Sequence, residues 1–158
     1  MYIKIICDTR EILPLEFNHP YITEVIRTKL EFGDYACMFA DNTIPPLVFE
    51  RKNLPDLFST LTSGHERFKR EIARAKEANH SIVIIIEGTF TDVLRGCTHS
   101  TVKGITIIKQ LFTFWFKYGV QFVCCENRAE MVTYITECFC SIGRMKKIKD
   151  TNETKVAV

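Results

Sequence analysis

No apolar run in this sequence approaches the roughly 20 residues needed to cross a bilayer. The opening Met1-Tyr2-Ile3-Lys4-Ile5-Ile6-Cys7 leads straight into charged residues, so it makes neither a signal peptide nor a membrane span. A disulfide framework is also missing. The seven cysteines are odd in number and contain no Cys-x-x-Cys pair, which points to a reducing intracellular compartment, cytoplasmic or nuclear. Zinc is disfavoured for the same reason, since Cys124 and Cys125 would point to opposite faces of a strand. Charge of one sign is scarce as well: 21 basic residues against 19 acidic ones leave only +2. Repeats and low-complexity segments are absent. What remains is ordinary globular composition, 46% hydrophobic and 25% charged over 158 residues, enough chain for one domain with a buried core.

Periodicity predicts strands at 2–7, 24–30 and 35–39, arranged as a meander, then a proline-bearing loop at 41–46 and a strand at 47–52. Asn53 can cap the next helix, with Pro55 in its first turn and Asp56 at the third position. Ser63-Gly64-His65-Glu66 has the form of a capping box for a helix at 65–78, on which Arg67, Arg70, Glu71 and Arg74 form a charged stripe. Residues 81–87, with five consecutive Ile and Val, predict a strand buried on both faces. A short helix or turn at 89–96 follows. A very apolar helix at 101–118 comes next, in which Ile107, Ile108, Leu111, Phe112, Trp115 and Phe116 form the core stripe and Phe114 falls outside it. A short buried strand spans 120–125. A second capping box, Asn127 to Glu130, opens a helix that Gly143 ends. Residues 1–143 then form the domain, and 144–158, with Arg144, Lys146, Lys147 and Lys149, a basic flexible tail. Strands first and helix–strand alternation afterwards make an α/β sandwich with a mixed sheet flanked by helices.

The chemistry gathers around Leu47-Val48-Phe49-Glu50-Arg51-Lys52-Asn53-Leu54-Pro55-Asp56, an apolar strand that turns abruptly charged before becoming a helix. By alternation Val48, Glu50 and Lys52 share one face and Phe49 and Arg51 the other, so a plain Glu50–Lys52 ion pair is one reading of it. Upstream stand Asp8-Thr9-Arg10-Glu11 and Gly33-Asp34-Tyr35; downstream stands Arg67-Phe68.

Together these four pieces, in order and correctly spaced, resemble the nuclease domain of the XPF-type structure-specific endonucleases, with the signature Gly-Asp-Tyr, then Glu-Arg-Lys-x-x-x-Asp. The resemblance implies a restriction-endonuclease-like fold and cutting of DNA with Mg²⁺ or Mn²⁺. It implies Asp34, Glu50 and the Arg51 backbone carbonyl as metal ligands, joined by Glu11, with Lys52 acting on the attacking water. Asp8, Glu11 and Asp56 complete the catalytic set. A turn-capping role for Asp8 and Glu11, and a helix-capping role for Asp56, stay open beside it. Arg67, Arg70, Arg51, Lys146 and Lys147 are the DNA-contact candidates; for Arg51 support of a neighbouring element, and for Arg67 an ion pair with Glu71, are the competing roles. Cations at Asp8, Glu11, Asp34 and Glu50 would leave fifteen acids against 21 basic residues, a balance of +6 that suits phosphate.

The resemblance also implies branched DNA (flap, fork or junction) as substrate, in repair or recombination, and dimerisation through this domain, as a homodimer or heterodimer. The family's paired helix-hairpin-helix motifs do not follow in this sequence, so it reads as a stand-alone nuclease or as the nuclease residues of something longer. A catalytically silent DNA-binding and dimerisation module of the same fold is the alternative from another class. A sequence-directed restriction or repair nuclease is the alternative among enzymes.

Overall fold

Alternating apolar residues and short charged punctuation produce six strands that form one sheet. A computed structural model describes the backbone of residues 2–156 and the side chains of residues 2–146. The strands are β1 (Ile3–Cys7), β2 (Ile22–Arg27), β3 (Tyr35–Phe39), β4 (Leu47–Asn53), β5 (Ser81–Glu87) and β6 (Gln121–Cys125). Their order across the sheet is β2-β1-β3-β4-β5-β6. Strands β1/β3 and β3/β4 pair antiparallel, and the remaining neighbours pair parallel.

The sheet separates two cores. One face carries Val48, Ile82, Ile84 and Ile86 and packs against α1 (Leu54–Leu61), α2 (His65–Glu77), α3 (Phe90–Arg95) and α4 (Gly104–Thr113). The other carries Ile5, Tyr35, Phe49 and Ile85 and packs against Met131, Ile135 and Phe139 of α5 (Arg128–Val156). This is the α/β sandwich with a mixed sheet that the pattern predicts.

Several sequence expectations need correction. The first three strands are not a meander: β2 lies at the sheet edge parallel to β1, and β3 flanks β1 on its other side. Residues 8–21 supply a crossover long enough for parallel pairing, where a hairpin needs only two to five residues. The β2 strand also starts earlier than residue 24, and its largely exposed side chains suit an edge. No side chain caps α2, because Ser63 Oγ instead donates back to Ser59 O at the end of α1. Strand β6 is an edge strand and only part-buried.

The apolar helix expected at 101–118 is α4 followed by a π-helical turn, Phe114–Tyr118, closed by Gly119 at φ 76°. The row that turns inward is Ile107, Leu111 and Phe114, at i, i+4 and i+7, so Phe114 is 1% exposed and touches Phe68 and His65. Phe112, Trp115 and Phe116 face outward instead.

Helix α5 does not stop at Gly143 but continues to Val156. A buried mid-helix glycine costs only about 1 kcal/mol, and Arg144, Met145 and Lys146 are good helix formers. Lys146 holds this stretch down by donating to Asp41 and to Thr43 Oγ1. The side chains of Lys147 and Lys149 lie outside the described residues.

Helices α3 and α4 meet at Gly104, where an added Cβ would lie 2.1 Å from Val93 O and 2.3 Å from Leu94 O. Backbone carbonyls cannot swing aside as a side chain can. Gly104→Ala is therefore expected to cost about 1–3 kcal/mol, a fall of roughly 2–12 °C in Tm by calorimetry. An unchanged Tm would mean that the two helices are free to separate.

Candidate active site

Three strand ends converge on one point of the sheet. The Asp8 amide donates to Asp34 O at 2.8 Å, and the Asp34 amide donates to Phe49 O at 2.7 Å, tying the end of β1 to β3 and β4. Gly33 makes this approach possible. Its φ is +65°, and a Cβ there would stand 2.9 Å from the Val48 side chain and 3.0 Å from Phe49 O. Asp34 is thus delivered beside β4, where its Oδ2 accepts the Arg51 amide hydrogen at 2.7 Å.

Glu50 and Lys52 stand on the α1/α2 face of β4, as strand alternation requires. Lys52 Nζ is 2.7 Å from Glu50 Oε1, with both side chains largely buried. The ion pair expected from the sequence therefore exists, but in a cavity of about 310 Å³ that Asp34, Glu11, Asn53, Asp56 and Arg10 also line. Burial and the neighbouring Glu50 carboxylate push Asp34 up to about 7. Burial pushes the Lys52 ammonium down, while the Glu50 carboxylate more than offsets it, so the net direction is upward. With no metal on Glu50, Lys52 is a hydrogen-bond donor and a positive charge beside that carboxylate.

Glu71 is a residue that sequence reasoning missed. It sits on α2 and its carboxyl is raised by burial and then by Glu50, with Lys52, Arg74 and Arg10 acting in the opposite direction. Its place in a stripe of charges suggested a solvated face. Arg67 and Arg70 do lie exposed on that helix, and among the described residues no ion pair joins Arg67 to Glu71.

The opposite face of β4 carries Arg51, whose side chain is only 8% exposed. Its guanidinium donates from Nε to Glu11 Oε2 at 3.1 Å, from Nη2 to Glu11 Oε1 at 3.0 Å and from Nη1 to Glu87 Oε2 at 2.8 Å. Arg128, at the start of α5, meets Glu87 from the other side and also donates to Leu13 O and Pro14 O. Arg51 therefore supports the 11–14 segment and α5 rather than facing a phosphate, and both Glu11 oxygens are occupied by it. Glu87 and Arg128 were invisible as partners because the network joins residues far apart in sequence.

Asp8 does not line the cavity. Its oxygens accept from the Arg10 amide and side chain and from the Leu30 amide, which holds its carboxyl down at about 2. It is a turn acid. Asn53 caps α1 by accepting the Asp56 amide hydrogen at 2.9 Å, leaving the exposed Asp56 carboxylate at the cavity rim in the first helical turn. Lys146 is far along α5, paired with Asp41.

A divalent metal fits this donor set in part. Asp34 Oδ1 and Glu50 Oε2 have no protein partner among the described residues, and two close carboxylates suit a hard cation. No group of three or more His, Cys, Asp or Glu among the described residues is arranged to hold one. Backbone or solvent oxygens would have to complete the shell.

The family profile described as "ERCC4 domain" matches residues 7–138, a stretch that contains every residue of this cavity. The solved structure of XPF from Aeropyrum pernix superposes with a TM-score of 0.63 at 18% identity, covering 93% of this chain and 69% of that one. XPF from Aeropyrum pernix in complex with DNA gives a TM-score of 0.66 at 20% identity, covering 91% and 64%. The chain thus spans about two thirds of those proteins, and the likeness establishes the restriction-endonuclease-like fold. No curated protein matches the chain. Among the described residues no helix is long and apolar enough to cross a membrane.

Proposed function

Because the chain belongs to the ERCC4 domain family, we propose that it is a divalent-metal-dependent endodeoxyribonuclease acting on branched DNA. The observation that carries this reading is the Asp34–Glu50 pair. Two carboxylates are held together at a cost, each with one oxygen unused, beside a lysine kept charged. A structural ion pair needs one acid, not two.

In this reading Asp34, Glu50 and the Arg51 carbonyl would hold Mg²⁺ or Mn²⁺, which would supply charge neutralisation at the phosphoryl group and a more acidic water. Lys52 orients that water and stabilises the charge that develops on the phosphate. The Arg51 amide fixes Asp34, and Glu11 fixes Arg51, so Glu11 acts through Arg51 rather than as a ligand. Asp56 lies at the rim, where the first turn of α1 and Arg10 face incoming DNA. Arg67 and Arg70 are the exposed phosphate contacts on α2, with Lys147 further along the chain. A homodimer or heterodimer through this domain is part of the same proposal; the outward rings Phe112 and Trp115, packed on Phe122 of edge strand β6, support that face for it.

Labelled flap, fork, four-way junction and linear DNAs incubated with Mg²⁺, Mn²⁺, Ca²⁺ or chelator test the proposal. Cutting is expected with Mg²⁺ and Mn²⁺, weakly if at all with Ca²⁺, and not in chelator, with the branched molecules preferred. Cleavage that survives excess chelator removes the metal reading. DNA binding without cutting under every condition assigns the chain to the silent module instead.

A further inference from the structure

At the other end of the sheet, where β5 and β6 begin, a second cavity of about 360 Å³ is lined by Lys76, His80, Ser81, Phe116, Lys117 and Tyr118 over an apolar floor. None of its lining residues is a carboxylate, and Glu77, beside Lys76 in sequence, does not reach it. Neither lysine has an acidic partner among the described residues; Lys117 Nζ lies 5.5 Å from the centre of the Tyr118 ring. His80 closes the wall, with Nδ1 at 2.9 Å from Ala78 O. Both lysines are exposed, so the cavity carries positive charge that no lining carboxylate neutralises. At the rim Phe116, in the π-helical turn, is 81% exposed, its ring lying near-parallel to those of Trp115 and Phe112 at 5.9 and 6.3 Å between centroids.

We infer that this cavity is a second nucleic-acid contact, in which Lys76 and Lys117 bind a strand phosphate and Phe116 stacks on a base. The lysines alone would accept any phosphate. An exposed aromatic ring beside them selects a nucleotide unit, because stacking platforms next to cationic grooves bind single strands irrespective of sequence. The site lies away from Asp34 and Glu50, so it holds nucleic acid without competing with cleavage.

The test is a titration of wild type, Lys76→Ala/Lys117→Ala and Phe116→Ala in chelator with labelled d(T)8, dTMP and inorganic phosphate. The double variant is expected to lose at least about fivefold in d(T)8 affinity, with a salt slope shallower by about 0.7 for the one phosphate lost. Phe116→Ala is expected to lose about fivefold or more for d(T)8 and dTMP but to bind inorganic phosphate unchanged. Amide shifts of Lys117 and His80 in the wild type on adding d(T)8 give the same answer without a substitution. Unaltered affinity and slope in both variants overturn the inference. So does inorganic phosphate that binds as tightly as d(T)8, which would mark a free-anion site, or a Phe116→Ala loss that follows subunit dissociation in light scattering. Since neither metal nor turnover is needed, the outcome is separate from that of the cleavage panel.

Discussion

Replacing Arg51 by methionine is expected to destabilise the protein by about 3–5 kcal/mol, lowering Tm by roughly 6–20 °C. The guanidinium is 8% exposed and is the partner of both Glu11 oxygens, while the Glu11 side chain is itself only 7% exposed. Removing Arg51 leaves a buried carboxylate with no counter-charge, the most expensive way to break such a pair. Methionine keeps most of the volume, so the loss reports charge rather than a cavity. Glu11→Gln placed in the Arg51→Met background should recover part of it, since the stranded charge is then gone. Glu87 suffers less because Arg128 still reaches it. A DNA-contact role for Arg51 makes the opposite forecast: normal melting, weaker DNA binding and a flatter salt slope. Thermal denaturation of the single and double variants in chelator, alongside a salt titration of DNA binding, tells the two apart.

How far the sequence could be read depended on whether the signal was local. Strand alternation placed Glu50 with Lys52 and Arg51 on the far side, and the Asn53 cap followed from four adjacent residues. Asp34 was legible because Gly33-Asp34 is a motif with a backbone reason, a positive φ at close approach. What stayed hidden is set by contacts distant in sequence. Glu71, on another helix, is half-buried and feels the Glu50 charge, and Arg128 meets Glu87 across 41 residues. The meander failed because strand order depends on what the crossover can span, not on the strands themselves. Phe114 was misassigned because two helical rows through 104–118 are equally apolar, and only packing against Phe68 chooses between them. Gly143 looked like a stop because glycine propensity is a weak preference that the rest of a long helix can override.

Asp34→Asn is expected to separate stability from catalysis. In the folded protein burial and Glu50 raise Asp34 to about 7 from an ordinary 3.8, so the native state disfavours its charged form. An acid whose folded pKa is raised opposes folding where it must ionise. Its contribution is harmless below about pH 4, becomes unfavourable as pH climbs through 4–7, and stays so above 7, on the order of a few kcal/mol. The asparagine carries no charge, yet its amide oxygen can still accept from the Arg51 amide as Asp34 Oδ2 does. In chelator the variant should therefore match wild type near pH 4 and melt several degrees higher at pH 8. Adding Mg²⁺ should raise the wild type and leave the variant where it is, narrowing the gap, because only the state that binds a ligand is stabilised by it, by about 2.7 kcal/mol at a hundredfold excess over Kd. Cleavage should fall by about a hundredfold or more, while DNA is bound at least as tightly with one negative charge fewer near the phosphate. Melting curves at pH 4 and 8 with and without Mg²⁺, together with cleavage and DNA-binding assays, check these statements on one pair of proteins. A wild type indifferent to Mg²⁺, with a variant that melts earlier at pH 8, would make Asp34 an ordinary structural acid and remove the metal site from β4.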